Sequence, residues 1–178
     1  YHDMYQIDAD AAQQWWEENV TYAFGYGLSY TTFSFKSNGI YTDSALKNKL
    51  TAADQKTIAS QLQSTYQKAA AVDTLYLPVT VTNTGSVAGK KTVQVYVSAP
   101  YETDSVVEKA SVSLVGFAKT GILDPGESQT VVVSVNVQDM ASWYSYYAQS
   151  DKVTKGAYIM ESGEYTLRIM EDSHYDCS

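Results

Sequence analysis

The chain has 178 residues, enough for one domain with its own apolar core, and a formal net charge of −8. The negative charge argues against nucleic acid as a partner, because phosphate binding requires a basic surface. The single cysteine, Cys177, excludes an internal disulfide, and no apolar run approaches the ~20 residues that cross a bilayer, so no membrane partner is expected.

The N-terminal arm, residues 1–21, is aromatic and acidic and begins with Tyr1 rather than methionine. This start predicts a piece of a longer protein, in which the arm comes from the junction with a preceding domain. Such a piece would not show its parent's leader, so localisation stays open, with the cytoplasm favoured over secretion. Within the arm, Ala9 to Glu18 favours a short helix capped by Asp8 or Asp10.

Two adjacent tryptophans, Trp15 and Trp16, give the arm a large aromatic surface. One interpretation is a carbohydrate-binding platform, because aromatic faces stack on sugar rings. The other, which we favour, is that the arm packs on its own domain or on a neighbouring one.

The segment from Tyr22 to Phe35, YAFGYGLSYTTFSF, predicts a sharp turn followed by the first β-strand. Gly25 and Gly27 would make the turn, because glycine tolerates backbone angles that other residues avoid. The run from Tyr30 to Phe35 is rich in threonine and aromatic residues and predicts the strand.

Between the first two strands, over about residues 39–74, the composition shifts to Ala, Gln, Lys and Thr and predicts a helical insertion. Thr51 and Asp54 have the spacing of a helix start, and an apolar stripe follows at helical spacing. The stripe consists of Ile58, Leu62 and Tyr66. We expect a helix from about Ala52 to Ala71, preceded by a short helix around Ser44 to Leu50. A flap that packs on the sandwich is the favoured interpretation, with a lid or a dimer contact as the alternative.

From Leu75 onward the hydrophobic period is two, which predicts strands with one buried face. The predicted strands run around Leu75–Thr82, Lys91–Ser98, Ser111–Lys119, Val131–Val137, Ala157–Met160 and Glu164–Met170. Pro78 interrupts the first of these, and proline is typical of edge strands or bulges. Together with the strand after Tyr30, the pattern predicts an all-β, antiparallel, immunoglobulin-like sandwich over residues 22–178.

Catalytic signatures are missing from the sequence. Gly27-Leu28-Ser29 does not continue into a nucleophile elbow, and Tyr30 stands where a dinucleotide-binding loop needs its third glycine. The two histidines, His2 and His174, lie at opposite ends of the chain, so neither a metal nor another cofactor is expected. The 20 Asp and Glu residues offer so many carboxylate pairs that none is singled out.

Aromatic residues cluster again near the predicted C-terminal strands. An exposed, planar strip of them would bind carbohydrate, and the candidate residues are Trp143, Tyr144 and Tyr146, together with Trp15 and Trp16. Tyrosine and tryptophan also pack well at the edge of a core, and we favour packing over binding.

Several short motifs follow one another in a fixed order. They are AFGYGLSYTTF at 23–33, NTG at 83–85, LVGF at 114–117, LDPGE at 123–127 and ESGEY at 161–165. This ordered set resembles the C-terminal fibronectin type III-like domain of family 3 glycoside hydrolases, the family of β-glucosidases and β-xylosidases. The resemblance covers roughly Tyr22 to His174. Ala23 replaces the family's usual proline, and Met170-Glu171 stands where the family often has a valine–glycine pair.

The resemblance implies an accessory, structural domain, whereas the parent protein would hydrolyse O-glycosyl bonds. The family's nucleophile and acid/base lie outside the matched region, so no residue of this chain is assigned a catalytic role. The expected partners are the catalytic domains of the same parent chain, contacted through the domain-junction residues. These are Phe24, Gly25, Tyr26, Gly27, Leu28 and Tyr30. Two other classes stay open: an independent carbohydrate-binding module that takes an oligosaccharide, and a protein–protein interaction module.

Overall fold

A computed structural model describes residues 9–51, 73–101, 107–144, 148–149, 152–153, 157–161 and 163–177 of the chain. The first element is helix α1, Ala9–Asn19, which confirms the helix predicted in the arm. Ten strands follow among the described residues. They are β1 (Phe33–Ser37), β2 (Thr74–Asn83), β3 (Thr92–Ser98), β4 (Ser113–Lys119), β5 (Ser128–Asn136), β6 (Ser142–Tyr144), β7 (Ala148–Gln149), β8 (Lys152–Val153), β9 (Ala157–Ile159) and β10 (Thr166–Met170), with a 3₁₀ turn at Val137–Met140 between β5 and β6.

Two three-stranded antiparallel sheets form the sandwich. One sheet has the strand order β1-β2-β5 and the other has the order β10-β3-β4. Two short antiparallel pairs, β6-β9 and β7-β8, complete the described strands. The predicted all-β antiparallel sandwich is therefore confirmed.

Valine-rich inward faces of the two sheets form one core. Side chains alternate between the two faces of a strand, so apolar residues at every second position bury one face of each strand. Fully buried valines come from both sheets: Val79, Val81, Val93, Val95, Val133 and Val135. A register shift of one residue would move these side chains to the solvent face, so their burial fixes the pairing.

The strands β4 and β5 belong to different sheets but approach each other closely at Gly116. A Cβ atom on this residue would lie 2.8 Å from the backbone oxygen of Ser134 and 2.9 Å from Cγ1 of Val133. Such distances exclude a side chain, so the glycine of the LVGF motif allows this edge of the sandwich to close.

Pro78 lies in β2, the middle strand of its sheet, so the edge strand that proline suggested is wrong. The pairing of β1 with β2 ends at Ser37 opposite Val79. The Pro78 carbonyl accepts a hydrogen bond from Asn38 N at 3.0 Å, so its backbone groups face the side on which β1 has just ended. The N–H that proline lacks would point to that same side, toward Asn38 beyond the end of β1, so no ladder bond to β5 is lost and the proline is tolerated in a central strand.

The insertion between β1 and β2 is not helical in its described part, residues 38–51. The Asp43 carboxylate accepts the backbone amide of Asn48 at 2.7 Å, and this bond is the main cause that lowers the pKa of Asp43. Leu46 has a left-handed φ of 55°, which a right-handed helix does not accommodate. The short helix predicted around Ser44 to Leu50 is therefore wrong. The longer helix predicted from Ala52 to Ala71 lies outside the described residues and stays a prediction.

Candidate functional site

The junction segment, residues 22–30, lies across the outward face of β3 and beside the C-terminal end of the domain. The carbonyl of Gly25 accepts a hydrogen bond from Gln94 Nε2 at 2.9 Å. The carbonyl of Phe24 accepts one from the amide of Ser173 at 2.8 Å. The backbone of the segment is thus fixed to two parts of the domain that are distant in sequence.

Tyr96 supports the same segment from β3. Its hydroxyl donates to Gln94 Oε1 at 3.0 Å and lies 3.4 Å from the carbonyl oxygen of Phe24. Burial raises the pKa of Tyr96, and the negative charge of Asp172 adds to the effect. The hydroxyl therefore remains a neutral hydrogen-bond donor beneath the junction.

Gly25 is the residue on which the predicted turn depends. Its φ is +85°, and a Cβ here would lie 2.3 Å from Gln94 Oε1 and 2.6 Å from the Tyr96 hydroxyl. Gly27, by contrast, has no heavy atom within 4 Å of such a Cβ and does not adopt a left-handed φ. The turn thus uses one of the two glycines that the sequence suggested.

Large side chains with apolar surface alternate along the junction segment and face solvent. We call them the junction strip: Tyr22, Phe24, Tyr26, Leu28 and Tyr30. Their exposed fractions are 68%, 68%, 46%, 87% and 98%, whereas Ala23 between the first two is buried. Single exposed apolar residues are normal on a protein surface, but several of them within one short segment are typical of an interaction surface.

Helix α1 packs on the C-terminal segment through Trp16. The Trp16 ring stacks on His174, with 3.6 Å between centroids and 6° between planes, and meets Tyr175 edge-on at 6.0 Å. Trp15 is exposed. Because neighbouring residues on a helix point about 100° apart, the two indoles do not form one flat platform.

The strands β6 and β9 place Trp143 directly opposite Tyr158. The two rings are in edge-to-face contact, with 5.1 Å between centroids and 69° between planes, and both side chains are about half exposed. Tyr144 is partly buried, and Tyr146 lies outside the described residues. The aromatic residues predicted as carbohydrate-binding candidates therefore lie in two separate groups. Trp16 contacts the C-terminal segment, and Trp143 contacts Tyr158.

Glu161 of the ESGEY motif forms an ion pair with Lys109, whose side chain is only 3% exposed. Lys109 Nζ also donates to the carbonyl of Pro100, and the Tyr165 hydroxyl donates to the carbonyl of Glu161 at 3.0 Å. The motif thus ties the chain before β10 to the segment that follows β3. The Glu161 carboxylate therefore has a structural role, as the partner of a buried lysine.

Three chemical properties of the described residues bear on function. Among residues 9–51, 73–101, 107–144 and the shorter described ranges, no group of three or more His, Cys, Asp or Glu side chains is placed to hold a metal ion. The same part of the chain contains no helix long and apolar enough to cross a membrane. Burial, together with the charge of Glu171, raises the pKa of Cys177 to about 12, so this thiol is protonated at neutral pH.

Sequence reasoning did not identify the residues that hold the junction segment. Gln94 occupies an ordinary outward position in the alternating pattern of β3, and only the fold shows that the segment crosses it. Ser173 contributes its backbone amide, which no residue pattern reveals. Tyr158 was also missed, because its contact with Trp143 follows from the register of β6 with β9.

Comparisons with known proteins give concordant results. Residues 91–173 match the family model described as a fibronectin type III-like domain. Beta-glucosidase A of Butyrivibrio fibrisolvens is 38% identical over 152 residues, which are 84% of this chain and 16% of that protein. A beta-glucosidase of Ruminococcus albus is 32% identical over 158 residues, which are 88% of this chain and 13% of that protein.

Solved structures give the same result in three dimensions. The structure of a beta-glucosidase from Paenibacillus barengoltzii matches with a TM-score of 0.62 and 31% sequence identity. The match covers 90% of this chain and 14% of that one. The chain thus spans no more than 16% of the length of any of these three proteins.

Proposed function

Since the chain belongs to the fibronectin type III-like domains of family 3 β-glucosidases, we propose that it is the accessory domain of such an enzyme. In this proposal the parent protein hydrolyses O-glycosyl bonds of the β-glucosidase or β-xylosidase type. Catalysis takes place in its other domains, and this domain braces them.

The proposal divides the chain at the junction segment. Residues 1–21 are the arm that comes from the preceding domain, and residues 22–178 form the sandwich. The stacking of Trp16 on His174 fixes the arm against the C-terminal segment of the sandwich just before the junction begins. The longer helix predicted from Ala52 to Ala71 would be an elaboration of the sandwich rather than a separate domain.

The junction strip is the observation that carries the proposal. Its backbone is fixed by hydrogen bonds from Gln94 and Ser173, while its large side chains stay in solvent. Burying such a side chain stabilises a protein by about 1.5–3 kcal/mol relative to leaving it exposed. A contact with the catalytic domains would recover this free energy, and it would hold the sandwich at the point where the polypeptide passes between them.

The contact is tested in the full-length parent protein with Leu28→Asp and the matched control Val132→Asp. Both residues are exposed, but Val132 lies in the middle of β5 and not at the junction. We expect Leu28→Asp to lower the thermal unfolding temperature and the aryl β-glucosidase activity of the parent, because it places a charge in the contact. Equal behaviour of the two variants would contradict the proposal.

The accessory role is tested with the 178-residue chain by itself. We expect no turnover of an aryl β-glucoside, because no residue of the chain is assigned a catalytic role and Glu161 is paired with Lys109. Turnover that copurifies with the chain through successive columns would show that the domain is itself an enzyme.

The exposed contact between Trp143 and Tyr158 favours carbohydrate binding as a second candidate function. Aromatic rings at the edge of a small sheet offer an apolar face to a sugar. Titration with cello- or xylo-oligosaccharides, followed by tryptophan fluorescence, tests this candidate. Saturable binding that Trp143→Ala abolishes and Trp15→Ala leaves intact would support it, and absence of any saturable signal would exclude it.

A further inference from the structure

We propose that the loop end of the sandwich makes a second contact with the rest of the parent polypeptide, through a loop-end patch formed by Tyr30, Val87 and Ile122. The inference rests on the proposed accessory function. It adds an interaction surface that lies outside the junction segment and that no single sequence motif contains.

A single buried side-chain amide bonds to the three chain segments that carry the residues of the patch. Asn83 Nδ2 donates to the carbonyl of Val87 at 2.8 Å and to the carbonyl of Leu123 at 2.9 Å. Its Oδ1 accepts the hydroxyl hydrogen of Thr31 at 2.7 Å. Val87 is thus bonded directly to Asn83. Tyr30 directly precedes Thr31, and Ile122 directly precedes Leu123, the other two residues that bond to the Asn83 side chain.

The loops are also bonded to each other. The amide of Gly89 donates to the carbonyl of Leu123 at 3.1 Å, and the amide of Leu123 donates back at 2.8 Å. The amide of Thr84 donates to the carbonyl of Thr32 at 2.9 Å. These bonds preorganise the surface, so binding to it would cost little conformational entropy.

The side chains of the patch face solvent although their neighbours are buried. Tyr30, Val87 and Ile122 are 98%, 49% and 64% exposed, whereas Leu123, the residue after Ile122, is 2% exposed. An isoleucine in a tight loop has no packing reason to face outward while the next residue fills the core. Apolar side chains gathered in this way are typical of a contact surface.

The composition of the two loops fits a protein partner. Residues 84–89, TGSVAG, and residues 120–123, TGIL, contain no charged side chain. Solvent-exposed loops usually carry charges, whereas the centres of protein interfaces are depleted of them. The loop end is therefore suited to an uncharged, apolar partner surface.

Continuity with the junction strip identifies the partner as the rest of the same polypeptide. Tyr30 belongs to both surfaces, so a body that covers the strip also reaches the loop end. The three relatives named above devote no more than 16% of their length to the matched region, which leaves a much larger body to cover both. If a second copy of the chain bound the patch instead, there would be no reason for the patch and the junction strip to share Tyr30.

Site-specific thiol labelling in the full-length parent protein tests the inference. Val87→Cys and Ile122→Cys report on the patch, Leu28→Cys reports on the junction strip, and Val132→Cys is the exposed control on β5. Each variant is reacted with a maleimide, the labelled position is located by peptide mass spectrometry, and the reaction is repeated after denaturation. All four sites are exposed in the domain, so the substitutions leave its core intact.

We expect positions 28, 87 and 122 to react at least about tenfold more slowly than position 132, because labelling then requires local opening of the contact. Protection at position 28 with rapid labelling at 87 and 122 would overturn the loop-end contact and leave the accessory function standing. Rapid labelling at all positions would overturn both. Protection at 87 and 122 that disappears on dilution of the parent would assign the patch to a second copy and overturn the intramolecular contact.

Discussion

Thr31 donates its hydroxyl hydrogen to Oδ1 of Asn83 at 2.7 Å and thereby joins residues 52 positions apart in the chain. Asn83 is fully buried, and the same Oδ1 accepts the amide of Gly85 at 3.0 Å. With the two bonds that Nδ2 donates, the full hydrogen-bonding capacity of the side-chain amide is used. The AFGYGLSYTTF, NTG and LDPGE motifs, separate in sequence, therefore meet at one side chain.

Replacing Asn83 should destabilise the domain strongly. Asn83→Ala leaves the carbonyl of Val87 and the amide of Gly85 without their side-chain partner and removes one of the two donors to the carbonyl of Leu123. An unsatisfied buried group costs about 1–3 kcal/mol. We expect a loss of about 3 kcal/mol in the free energy of unfolding, measured by urea denaturation. Asn136→Ala is the matched control: this exposed asparagine caps the 3₁₀ turn, and its loss should cost about 1 kcal/mol. Similar losses for the two variants would show that the buried network contributes little.

The two glycines of the junction should respond differently to alanine. Gly25→Ala forces a side chain into a left-handed conformation against Gln94 and Tyr96, which we expect to cost about 1–2 kcal/mol locally. Gly27→Ala meets open space and should be neutral. Hydrogen exchange of the Ser173 amide, which bonds to Phe24, measures the local effect by NMR. Faster exchange in both variants, or in neither, would contradict the assignment of the turn to Gly25.

The ion pair between Lys109 and Glu161 should show strong coupling in a double-mutant cycle. Removing one partner leaves the other charge in a largely buried site, and breaking such a pair costs about 3–5 kcal/mol. We expect Lys109→Met and Glu161→Leu each to destabilise the domain by about 3 kcal/mol in urea denaturation. The combined variant should recover most of that loss, because no unpaired charge remains. Additive losses would mean that the two side chains act independently.

Ionisation of the buried Tyr165 hydroxyl should make the domain less stable at alkaline pH. Burial, with a contribution from the Glu161 charge, raises its pKa to about 12 from an ordinary value of 10.0. A group with a raised folded pKa contributes stability that is fully present below the unfolded pKa and is lost as the pH rises through the folded pKa. Stability should therefore fall between pH values of about 10 and 12.

Urea denaturation at a series of alkaline pH values measures this loss. The experiment is done in a Cys177→Ala background, because the pKa of Cys177 is also raised to about 12 and its titration would overlap. Tyr165→Phe in that background should flatten the dependence on pH. An unchanged slope would show that another group governs the alkaline loss.

The sheets were largely predictable from the sequence because their pattern is local. The alternating valines predicted a strand around Leu75–Thr82, and β2 spans Thr74–Asn83. The first strand was predicted from Tyr30 but begins at Phe33. Thr31 and Thr32, which precede the strand, bond to Asn83 and Thr84 of the NTG loop instead of joining the β1–β2 ladder. Because these partners are 52 residues away, the local sequence does not reveal them.

The candidate site was predictable as a set of residues but not as a surface. The resemblance pointed to the junction residues, and their alternation of large apolar side chains is visible in the sequence. Which face of the segment is buried depends on Gln94 and Ser173, which lie far along the chain. The loop-end patch was not predictable either, because Val87 and Ile122 come together only through the buried amide of Asn83.

The bond between Ser173 and Phe24 has a genetic consequence. A nonsense or frameshift mutation just after the codon for Met170 would leave all ten strands that the structure describes encoded. It would nevertheless remove the amide that holds the junction and the imidazole on which Trp16 stacks. Truncating alleles of this kind should behave like missense alleles at the beginning of the domain. The two lesions would thus release the same contact, although they lie at opposite ends of the coding sequence for the domain.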